Sequence, residues 1–492
     1  MTATRAVRVL YQATFLGLFV WLLSRLAAGD PRAFPYSLLL RLDPLTAAGV
    51  AAAAGTLAPA LAAAAAVAVL TVLLGRFFCG WMCPLGTLQQ LSSFLLAPRS
   101  RRESLEVNRW RGWFALKYYV LAALLGLALL GSLQSGLLDP LSLLARGLSA
   151  GAWPALPGGR PVPGGWLAAL LLLAVLVASR WVPRLFCRAL CPLGAFLGIF
   201  GRFSLYRIQR TGTACTECKL CRFACQGADE PLGAHRAGEC MVCLNCTDSC
   251  PEGAISYRFL GSSPLAPPRP DLSRRYLVGS FLGGIVAAPL LRGAGGGRHA
   301  SRPELVRPPG ALPEVEFLAR CVKCSLCQQA CPTGAIQPAL GQAGVEGFWT
   351  PVVVPRRGGC EFACTRCGEA CPTGAIAALA AARKTGYDGR PPVRIGTAFV
   401  DRGRCLPWAM GTPCIVCEEM CPTDPKAVWL DTVEERTREG RPVRLQRPRI
   451  DAARCVGCGI CENRCPVGEE AAIRVSAVGE SRDPLNRMLL GA

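Results

Sequence analysis

The sequence predicts an α-helical membrane unit, built as a duplicated two-helix repeat, that is followed by small α+β domains rich in cysteine. Four apolar segments occupy the first 200 residues, and 28 cysteines fall in tight clusters along the 492 residues. Two of the apolar segments lead into nearly the same cysteine motif. Hydrophobic residues make up 51% of the chain, which suits neither one soluble domain nor a purely membrane-embedded protein.

The apolar segments cover about residues 9–24, 57–74, 118–138 and 161–179. Each approaches the ~20 residues that cross a bilayer, and each is nearly uncharged on all faces, unlike a buried core helix. The loop 76–117 contains seven Lys and Arg residues, and the stretch 180–210 contains six. Residues 1–210 are therefore expected to form a four-helix unit with both termini in the cytoplasm.

Two signatures indicate that this unit is duplicated. The triplet Asp-Pro-Leu occurs at residues 43–45 and 139–141. The motif Arg-x-Phe-Cys occurs at residues 76–79 and 184–187, each time continuing to Cys-Pro-Leu-Gly. We expect two related helix pairs that face each other, as in other membrane repeats.

Residues 211–260 contain two cysteine quartets with the C-x2-C-x2-C-x3-C spacing of bacterial two-cluster ferredoxins. They are Cys215, Cys218, Cys221, Cys225 and Cys240, Cys243, Cys246, Cys250. Three closely spaced cysteines surround one cluster while the fourth points away to the other cluster. We therefore expect Cys250 to complete the first set and Cys225 to complete the second, in a cytoplasmic domain.

Residues 315–492 are predicted to form a soluble four-cluster domain. Its quartets are Cys321, Cys324, Cys327, Cys331; Cys360, Cys364, Cys367, Cys371; Cys405, Cys414, Cys417, Cys421; and Cys455, Cys458, Cys461, Cys465. Each ends in Cys-Pro, and Cys-Pro-Thr-Gly-Ala-Ile recurs at 331–336 and 371–376, which indicates one copied unit. An isolated quartet would also suit zinc, and many cysteines would also suit disulfides. Six quartets of this kind instead predict six [4Fe-4S] clusters in α+β bacterial-ferredoxin-like polyferredoxin domains.

Charge and histidine content exclude several functions. The formal charge is +21, but six oxidised clusters with four thiolates each subtract about 12. Much of the excess flanks apolar segments, which indicates membrane topology rather than nucleic-acid binding. His235 and His299 follow no C-x-x-C pair and lie in no apolar run, so haem ligation is not expected and both are predicted to be surface residues.

The region between the two cysteine-rich parts contains two linkers and an apolar segment. A Pro-rich linker covers 261–272, and a Gly- and Pro-rich linker covers 293–314. Between them, residues 273–292 contain Arg274 and Arg275 before an uncharged run, the pattern of a twin-arginine export signal that would act as a fifth membrane helix. A plain membrane anchor with adjacent arginines is the alternative.

The remaining four cysteines form two C-x3-C-P pairs at the cytoplasmic ends of membrane helices: Cys79, Cys83, Cys187 and Cys191. Because positions i and i+4 share a helix face, each pair is able to present two thiolates together. We hypothesise that all four reach one site, which holds a further metal centre or gates a quinone-linked redox step. Thiols without metal, structural or redox-active, are the equal alternative.

Three further features of the membrane unit suggest a redox or interface role. Trp81 suits an interfacial anchor or a quinone stack. Asp43 and Asp139 suit helix caps or acceptors of quinol protons. Residues 117–119 suit an interface belt.

These motifs resemble two known ferredoxin families joined in one chain. Residues 1–260 are similar to the membrane ferredoxin subunit of periplasmic nitrate reductase systems, the NapH type. Residues 273–492 resemble the periplasmic partner ferredoxin, the NapG type, which is close to the methylamine-utilisation ferredoxin MauM. The fusion makes the export signal an internal helix.

The resemblance implies a protein of the bacterial inner membrane that oxidises quinol from the lipid phase. It implies a periplasmic four-cluster domain that delivers electrons to a periplasmic reductase or a multihaem cytochrome. An accessory ferredoxin for maturation of a periplasmic enzyme, and a cytoplasmic membrane-tethered polyferredoxin, are the alternatives. Substrate chemistry would then belong to a partner, and the chain itself would be a quinol dehydrogenase module at most.

Overall fold

The computed structural model describes residues 3–28, 37–56, 59–96, 100–155, 160–211, 215–229, 231, 235–259, 272–293, 303–436 and 442–486. His299 and nearly all of the first predicted linker lie outside these residues. The helical unit is residues 3–201, the two-cluster domain is residues 206–259, and the four-cluster domain is residues 303–486.

The helical unit consists mainly of apolar helices, four of which begin at a proline. Its helices are α1 Ala3–Ala28, α2 Leu38–Arg41, α3 Pro44–Ala54, α4 Ala64–Leu74, α5 Pro84–Leu96, α6 Arg101–Val107, α7 Leu116–Leu129, α8 Pro140–Arg146, α9 Gly165–Ala178, α10 Leu185–Ala189 and α11 Pro192–Gly201. Asp43 caps α3 by accepting hydrogen bonds from the backbone N–H groups of Leu45 and Thr46, at 3.0 and 3.2 Å. Asp139 caps α8 in the same way through Ser142, at 2.8 Å. The helix-cap prediction for both aspartates is confirmed.

Three helical segments are long and apolar enough to cross a membrane: Ala3–Ala28, Gly112–Leu129 and Arg274–Gly293. The predicted segments 57–74 and 161–179 form shorter helices instead. Pro59 lies in a separate 3₁₀ turn before α4, and Gly164 adopts a left-handed φ of 68° just before α9. These breaks shorten both helices, because neither conformation continues a regular helix.

The two-cluster domain is closed by an antiparallel strand pair. Strand β1, Tyr206–Arg210, pairs with β2, Ile255–Phe259, and the short helices α12 Leu220–Phe223 and α13 Asn245–Asp248 lie between them. The domain therefore begins upstream of the predicted boundary at residue 211. Helix α14, Arg274–Gly293, follows it.

The four-cluster domain consists of short helices and two-stranded antiparallel sheets. Its helices are α15 Glu314–Arg320, α16 Leu326–Ala330, α17 Arg366–Glu369, α18 Ala381–Thr385, α19 Leu406–Ala409, α20 Val416–Glu419 and α21 Ile460–Arg464. Its strands are β3 Ile336–Pro338, β4 Pro351–Val353, β5 Thr397–Val400, β6 Val428–Arg436, β7 Pro442–Ile450 and β8 Ile473–Ser476, paired β3 with β4, β5 with β8 and β6 with β7. Leu305, Val306 and Ala311 are buried, so this domain also begins before its predicted boundary at 315.

The two cluster domains lie at opposite ends of the helical unit. Near the start of α1, Arg8 donates a 2.6 Å hydrogen bond to Asn245 of the two-cluster domain. At the other end, Val322 and Leu326 of the four-cluster domain join the apolar core of the helical unit. Helix α14 joins the two ends: Ser273 donates to the Tyr119 hydroxyl at 3.1 Å, and Arg292 pairs with Glu346 at 3.4 Å. A 20-residue helix is about 30 Å long, so the two domains stand about one hydrocarbon thickness apart.

Close glycine contacts hold α14 against α7. A Cβ atom on Gly284 would lie 2.1 Å from the Ala123 carbonyl oxygen, whereas a Cβ atom on Gly283 would meet nothing within 4 Å. Small residues let helix backbones approach in this way. We expect Gly284→Leu to destabilise the protein in detergent by about 1–3 kcal/mol, and Gly283→Leu to leave its thermal midpoint unchanged. Equal midpoints for the two variants would contradict this packing.

Candidate metal centres

The eight cysteines of the two-cluster domain separate into two sets that exchange their last member. A cavity of about 280 Å³ is lined by Cys215, Cys218, Cys221 and Cys250. Three thiols, those of Cys243, Cys240 and Cys225, have the largest electrostatic effect on the Cys246 thiol. Burial, followed by Asp229 and Cys243, raises the pKa of the Cys225 thiol to about 12. Such a buried thiol is ionised only with strong compensation, which a metal supplies.

The four-cluster domain repeats this exchange twice. Electrostatic neighbours group its thiols as Cys321, Cys324, Cys327 with Cys371; Cys360, Cys364, Cys367 with Cys331; Cys405, Cys414, Cys417 with Cys465; and Cys455, Cys458, Cys461 with Cys421. We call these the Cys321, Cys360, Cys405 and Cys455 sets. In each neighbouring pair of quartets, the fourth cysteine belongs to the other quartet's set. The quartet spacing left this exchange open for the C-terminal region.

The cysteine sulfurs are not grouped as the ligands of a single metal ion would be. All 28 cysteines lie within the described residues and none forms a disulfide. Among those residues, no three cysteine sulfurs lie within 4.8 Å of one another. A tetrahedral zinc site with Zn–S bonds of about 2.3 Å would hold its sulfurs about 3.8 Å apart. In the described residues the sulfurs are therefore spaced more widely than the ligands of one tetrahedral zinc ion.

Backbone conformation also prepares the loops for an anionic cluster. In the Cys215 loop, Glu217 and Lys219 adopt left-handed φ values of 54° and 60°, and Lys323 and Ser325 do the same in the Cys321 loop. Such values cost a residue other than glycine about 1–2 kcal/mol. A left-handed residue at every second position turns successive backbone N–H groups toward the same side. These groups form a concave site for anions such as Fe–S clusters. The Glu217 N–H, for example, donates to the Cys215 sulfur at 3.4 Å.

Neighbouring sets of the C-terminal domain are joined by shared segments and by a backbone hydrogen bond. The Cys321 set faces the helical unit. It takes Cys371 from the quartet of the Cys360 set and gives Cys331 to that set in return. The Cys360 N–H donates a 2.7 Å hydrogen bond to the Cys458 carbonyl, which joins the Cys360 set to the Cys455 set. Lys384 of α18 donates to the Cys360 sulfur at 3.4 Å and to the Glu361 and Cys364 carbonyls at 2.7 Å. A buried ammonium beside a cluster ligand favours the reduced, more negative cluster.

The two C-x3-C-P pairs meet inside the helical unit. The Cys191 thiol lies within electrostatic range of Cys187, Cys79 and Cys83. Gln89 of the first half donates to the Cys187 sulfur of the second half at 3.4 Å. The pairs do not lie on continuous helices as predicted: Cys79 lies in the π-helical turn Phe78–Met82, and Cys83 and Cys191 lie just before α5 and α11. The proline after each second cysteine starts a new helix. The two cysteines of a pair therefore do not lie on one continuous helix.

Two buried arginines accompany these four thiols. Arg76 is fully buried and lies against Gly194 of the other half, while Arg184 is 1% exposed and lies against Gly86 of the first half. The Arg76 guanidinium is 4.0 Å from the Cys79 sulfur. Two buried positive charges beside four thiols are suited to an anionic metal–thiolate centre.

The Cys79 loop contacts the two-cluster domain directly. A Cβ atom on Gly80 would lie 2.2 Å from the Met241 carbonyl oxygen, so glycine alone permits this approach. The Trp81 indole N–H donates to the Val242 carbonyl at 2.9 Å, and its ring stacks on Phe77 at 5.0 Å. Trp81 is 8% exposed and is thus neither an interfacial anchor nor open to a quinone, because its ring fastens the cluster-binding loop.

Glu239 is a buried carboxylate that the sequence reasoning missed. It accepts a 2.7 Å hydrogen bond from the Tyr118 hydroxyl, pairs with Lys117 and lies 3.5 Å from Arg76. Lys117 is fully buried, so the predicted interface belt is wrong for this residue. The prediction of a surface role for His235 is also wrong, because its ring pairs with buried Asp229. The only sequence signal for Glu239 was its position before Cys240.

The opposite end of the helical unit contacts the Cys321 loop. A Cβ atom on Gly136 would lie 2.0 Å from the Val322 carbonyl oxygen. Buried Arg146 donates to the Lys323 carbonyl at 3.3 Å, and the Lys323 ammonium binds the Gln134 side chain. A cluster-binding loop is thus pressed against each end of the helical unit, at Gly80 and at Gly136.

An ion pair network stabilises the start of the four-cluster domain. Burial alone raises the pKa of Glu314, but Arg307 at 2.5 Å and Arg482 at 2.7 Å lower it to about 2. A depressed carboxyl pKa contributes stability that is complete above the usual value of about 4.5 and is lost toward pH 2. We expect Glu314→Gln to cost about 2–3 kcal/mol at pH 7, with the deficit shrinking below pH 4.5. The urea concentration at which cluster absorbance disappears measures it, and a deficit independent of pH down to pH 3 would contradict the assignment.

Comparison with known proteins identifies the motifs independently. Models described as 4Fe-4S binding domain match residues 56–103 and 163–210, and a second such model matches residues 317–337 and 448–468. The first pair of matches covers the two C-x3-C-P segments. No solved structure matches the chain.

Three curated proteins illustrate the similarity. The methylamine utilization ferredoxin-type protein MauM of Methylorubrum extorquens is 38% identical over 194 residues, which are 37% of this chain and 79% of that protein. An uncharacterized protein of Methanocaldococcus jannaschii is 31% identical over 42% of this chain and 81% of its own length. The putative electron transport protein YccM of Escherichia coli is 29% identical over 45% of this chain and 61% of its own length.

Proposed function

Because this chain belongs to the family of ferredoxin-type 4Fe-4S proteins that includes MauM, we propose that it carries electrons across the membrane, from quinol to a periplasmic oxidoreductase such as nitrate reductase. The observation that supports this proposal is the placement of a cluster-binding loop at each end of the helical unit. When bound, [4Fe-4S] clusters supply one-electron carriers. Oxidation of one quinol to quinone releases two electrons, taken up singly, and two protons, which pass to water.

The proposed topology follows the charge distribution and α14. The N-terminus and the two-cluster domain are cytoplasmic, and the four-cluster domain is periplasmic. Arg274 and Arg275 lie in the first turn of α14, at the end shared with the two-cluster domain. An internal twin-arginine signal would allow a domain with assembled clusters to cross the membrane folded, and α14 would remain as its anchor.

We assign a further metal centre to Cys79, Cys83, Cys187 and Cys191, between the two cluster domains. Wild-type protein should then contain more than the about 24 irons that six cubane clusters provide. Cys79→Ser should lower the iron content while leaving the two ferredoxin-type regions intact. An unchanged iron content would mean that these thiols hold no iron.

The function is tested by mixing the anaerobically purified protein with menaquinol or ubiquinol analogues and following cluster absorbance. Bleaching of the clusters by a quinol, with bleaching by dithionite as the full-scale reference, is the expected result. If dithionite bleaches the clusters but no quinol does, the quinol-oxidising function is excluded.

Similarity to the methylamine utilization ferredoxin-type protein favours a second candidate, in which the chain supplies electrons to mature another enzyme's cofactor. A reporter fused after Ala492 tests the location that both periplasmic functions require. Replacing Arg274 and Arg275 by lysine should abolish a periplasmic reporter signal. An active cytoplasmic reporter that ignores the substitution would instead support the membrane-tethered cytoplasmic polyferredoxin.

A further inference from the structure

A large cavity lies where three helices meet the two-cluster domain. It has a volume of about 670 Å³ and is bounded by α7, α11, the start of α14 and the segments before Cys240 and around β1. Leu121 and Leu125 of α7 and Val278 and Phe281 of α14 form an apolar wall. Both helices are among those long and apolar enough to cross a membrane. The cavity therefore joins an apolar, membrane-type wall to a cluster-binding domain.

Polar groups are concentrated on the domain side of the cavity. The lining there includes His235, Glu239 and the Tyr118 hydroxyl that donates to Glu239. Gln209 also lines it, is 8% exposed, and its amide nitrogen has no hydrogen-bond partner within the described part of the chain. Burying an amide donor without a partner is unfavourable, and a bound acceptor would relieve that cost.

This polar side is adjacent to a cluster ligand. Glu239 immediately precedes Cys240, and a ring nitrogen of His235 lies within 4.8 Å of the Cys240 sulfur. A molecule that touches His235 is thus separated by one side chain from the cysteine set that contains Cys240, Cys243, Cys246 and Cys225.

We propose that this cavity binds an isoprenoid quinol, with the head group beside Gln209 and His235 and the tail along α7 and α14. The proposal rests on the proposed function and locates its electron donor. A quinol has two opposed ring oxygens on a flat apolar body with an apolar tail, which matches a mostly apolar cavity with a few polar groups at one side. Trp81, Asp43 and Asp139 do not line it. The competing occupant is a phospholipid, whose phosphate would pair with Arg202 or Arg207 at the cavity wall.

A matched pair of substitutions on α14 tests the site. Val278 lines the cavity, whereas Val286 lies two turns further along and does not, and both side chains are more than half exposed. We expect Val278→Trp, and likewise Ala122→Trp, to raise the KM for a soluble quinol analogue roughly tenfold or more, with dithionite reduction and iron content unchanged. Val286→Trp should match the wild type. If quinol reduces the wild type and all three variants with equal KM, the cavity is not the quinol site, although the proposed function stands.

A binding measurement covers the case in which no quinol reduces the protein. The full-length protein in detergent is irradiated with an azido-ubiquinone analogue, and the labelled peptides are identified. Labelling within residues 115–125 and 198–209 that excess ubiquinone suppresses, and that Ala122→Trp abolishes, supports the site even if the proposed function fails. Labelling elsewhere would overturn the proposal. So would labelling in this region that is suppressed by phosphatidylglycerol vesicles and not by ubiquinone, which would identify a lipid site.

Discussion

Replacing Cys371 by serine should remove the cluster held by Cys321, Cys324 and Cys327, although Cys371 belongs to the neighbouring quartet in the sequence. The Cys371 thiol acts electrostatically on Cys327, and all four cysteines line one small cavity. A cubane that loses one of four thiolate ligands loses its closed coordination, so about four irons per chain should be lost. The four-cluster domain would then lose the set nearest the helical unit, and its remaining clusters should no longer be reduced by quinol.

The iron content of double variants shows whether the fourth ligand of a cluster comes from the same quartet or from the neighbouring quartet. Cys321→Ser combined with Cys371→Ser should lose no more iron than either single variant, because both residues serve one cluster. Cys360→Ser combined with Cys371→Ser should lose about eight irons, because two clusters are affected. The reverse result would mean that each quartet holds its own cluster.

The second large effect is expected at Gly136, where the four-cluster domain meets the helical unit. A side chain at this position would meet the Val322 carbonyl oxygen, carbon and Cα at 2.0, 2.6 and 2.8 Å, all of them backbone atoms that a rotamer change does not move. Gly136→Leu should therefore displace the Cys321 loop, at a cost of about 1–3 kcal/mol to this interface. Quinol should still reduce the two-cluster domain, while reduction of the four-cluster domain should become much slower at unchanged iron content.

Gly17 provides the control for this substitution. It lies in α1, and a Cβ atom there would meet nothing within 4 Å. Gly17→Leu should leave the rates at which quinol reduces the two-cluster domain and the four-cluster domain as they are in the wild type. Rapid reduction of all clusters in Gly136→Leu would show that electrons do not cross the contact between Gly136 and Val322.

Local signals in the sequence were sufficient for several features. Cysteine spacing predicted where the ligand loops lie, since five of the six quartets span 11 or 12 residues and the Cys405 quartet spans 17. The Asp-Pro-Leu triplets predicted two helix starts, because a side-chain cap and a proline act within one turn. Unbroken apolar runs predicted α1, α7 and α14, but not the shortening of the two runs interrupted near Pro59 and Gly164.

The sequence by itself determined that this chain has six ferredoxin-type quartets beside an apolar helical unit, because ligand spacing and apolar length are properties of neighbouring residues. Only the tertiary structure decided which thiol completes each C-terminal set, and that Lys117 and Trp81 turn inward to the two-cluster domain. Those contacts join residues from about 30 to 160 positions apart. Burying a charge or an indole N–H is favourable only where a polar partner, such as Glu239 or the Val242 carbonyl, lies within hydrogen-bond distance. The chain fold brings these partners together, and no local sequence pattern predicts the contact.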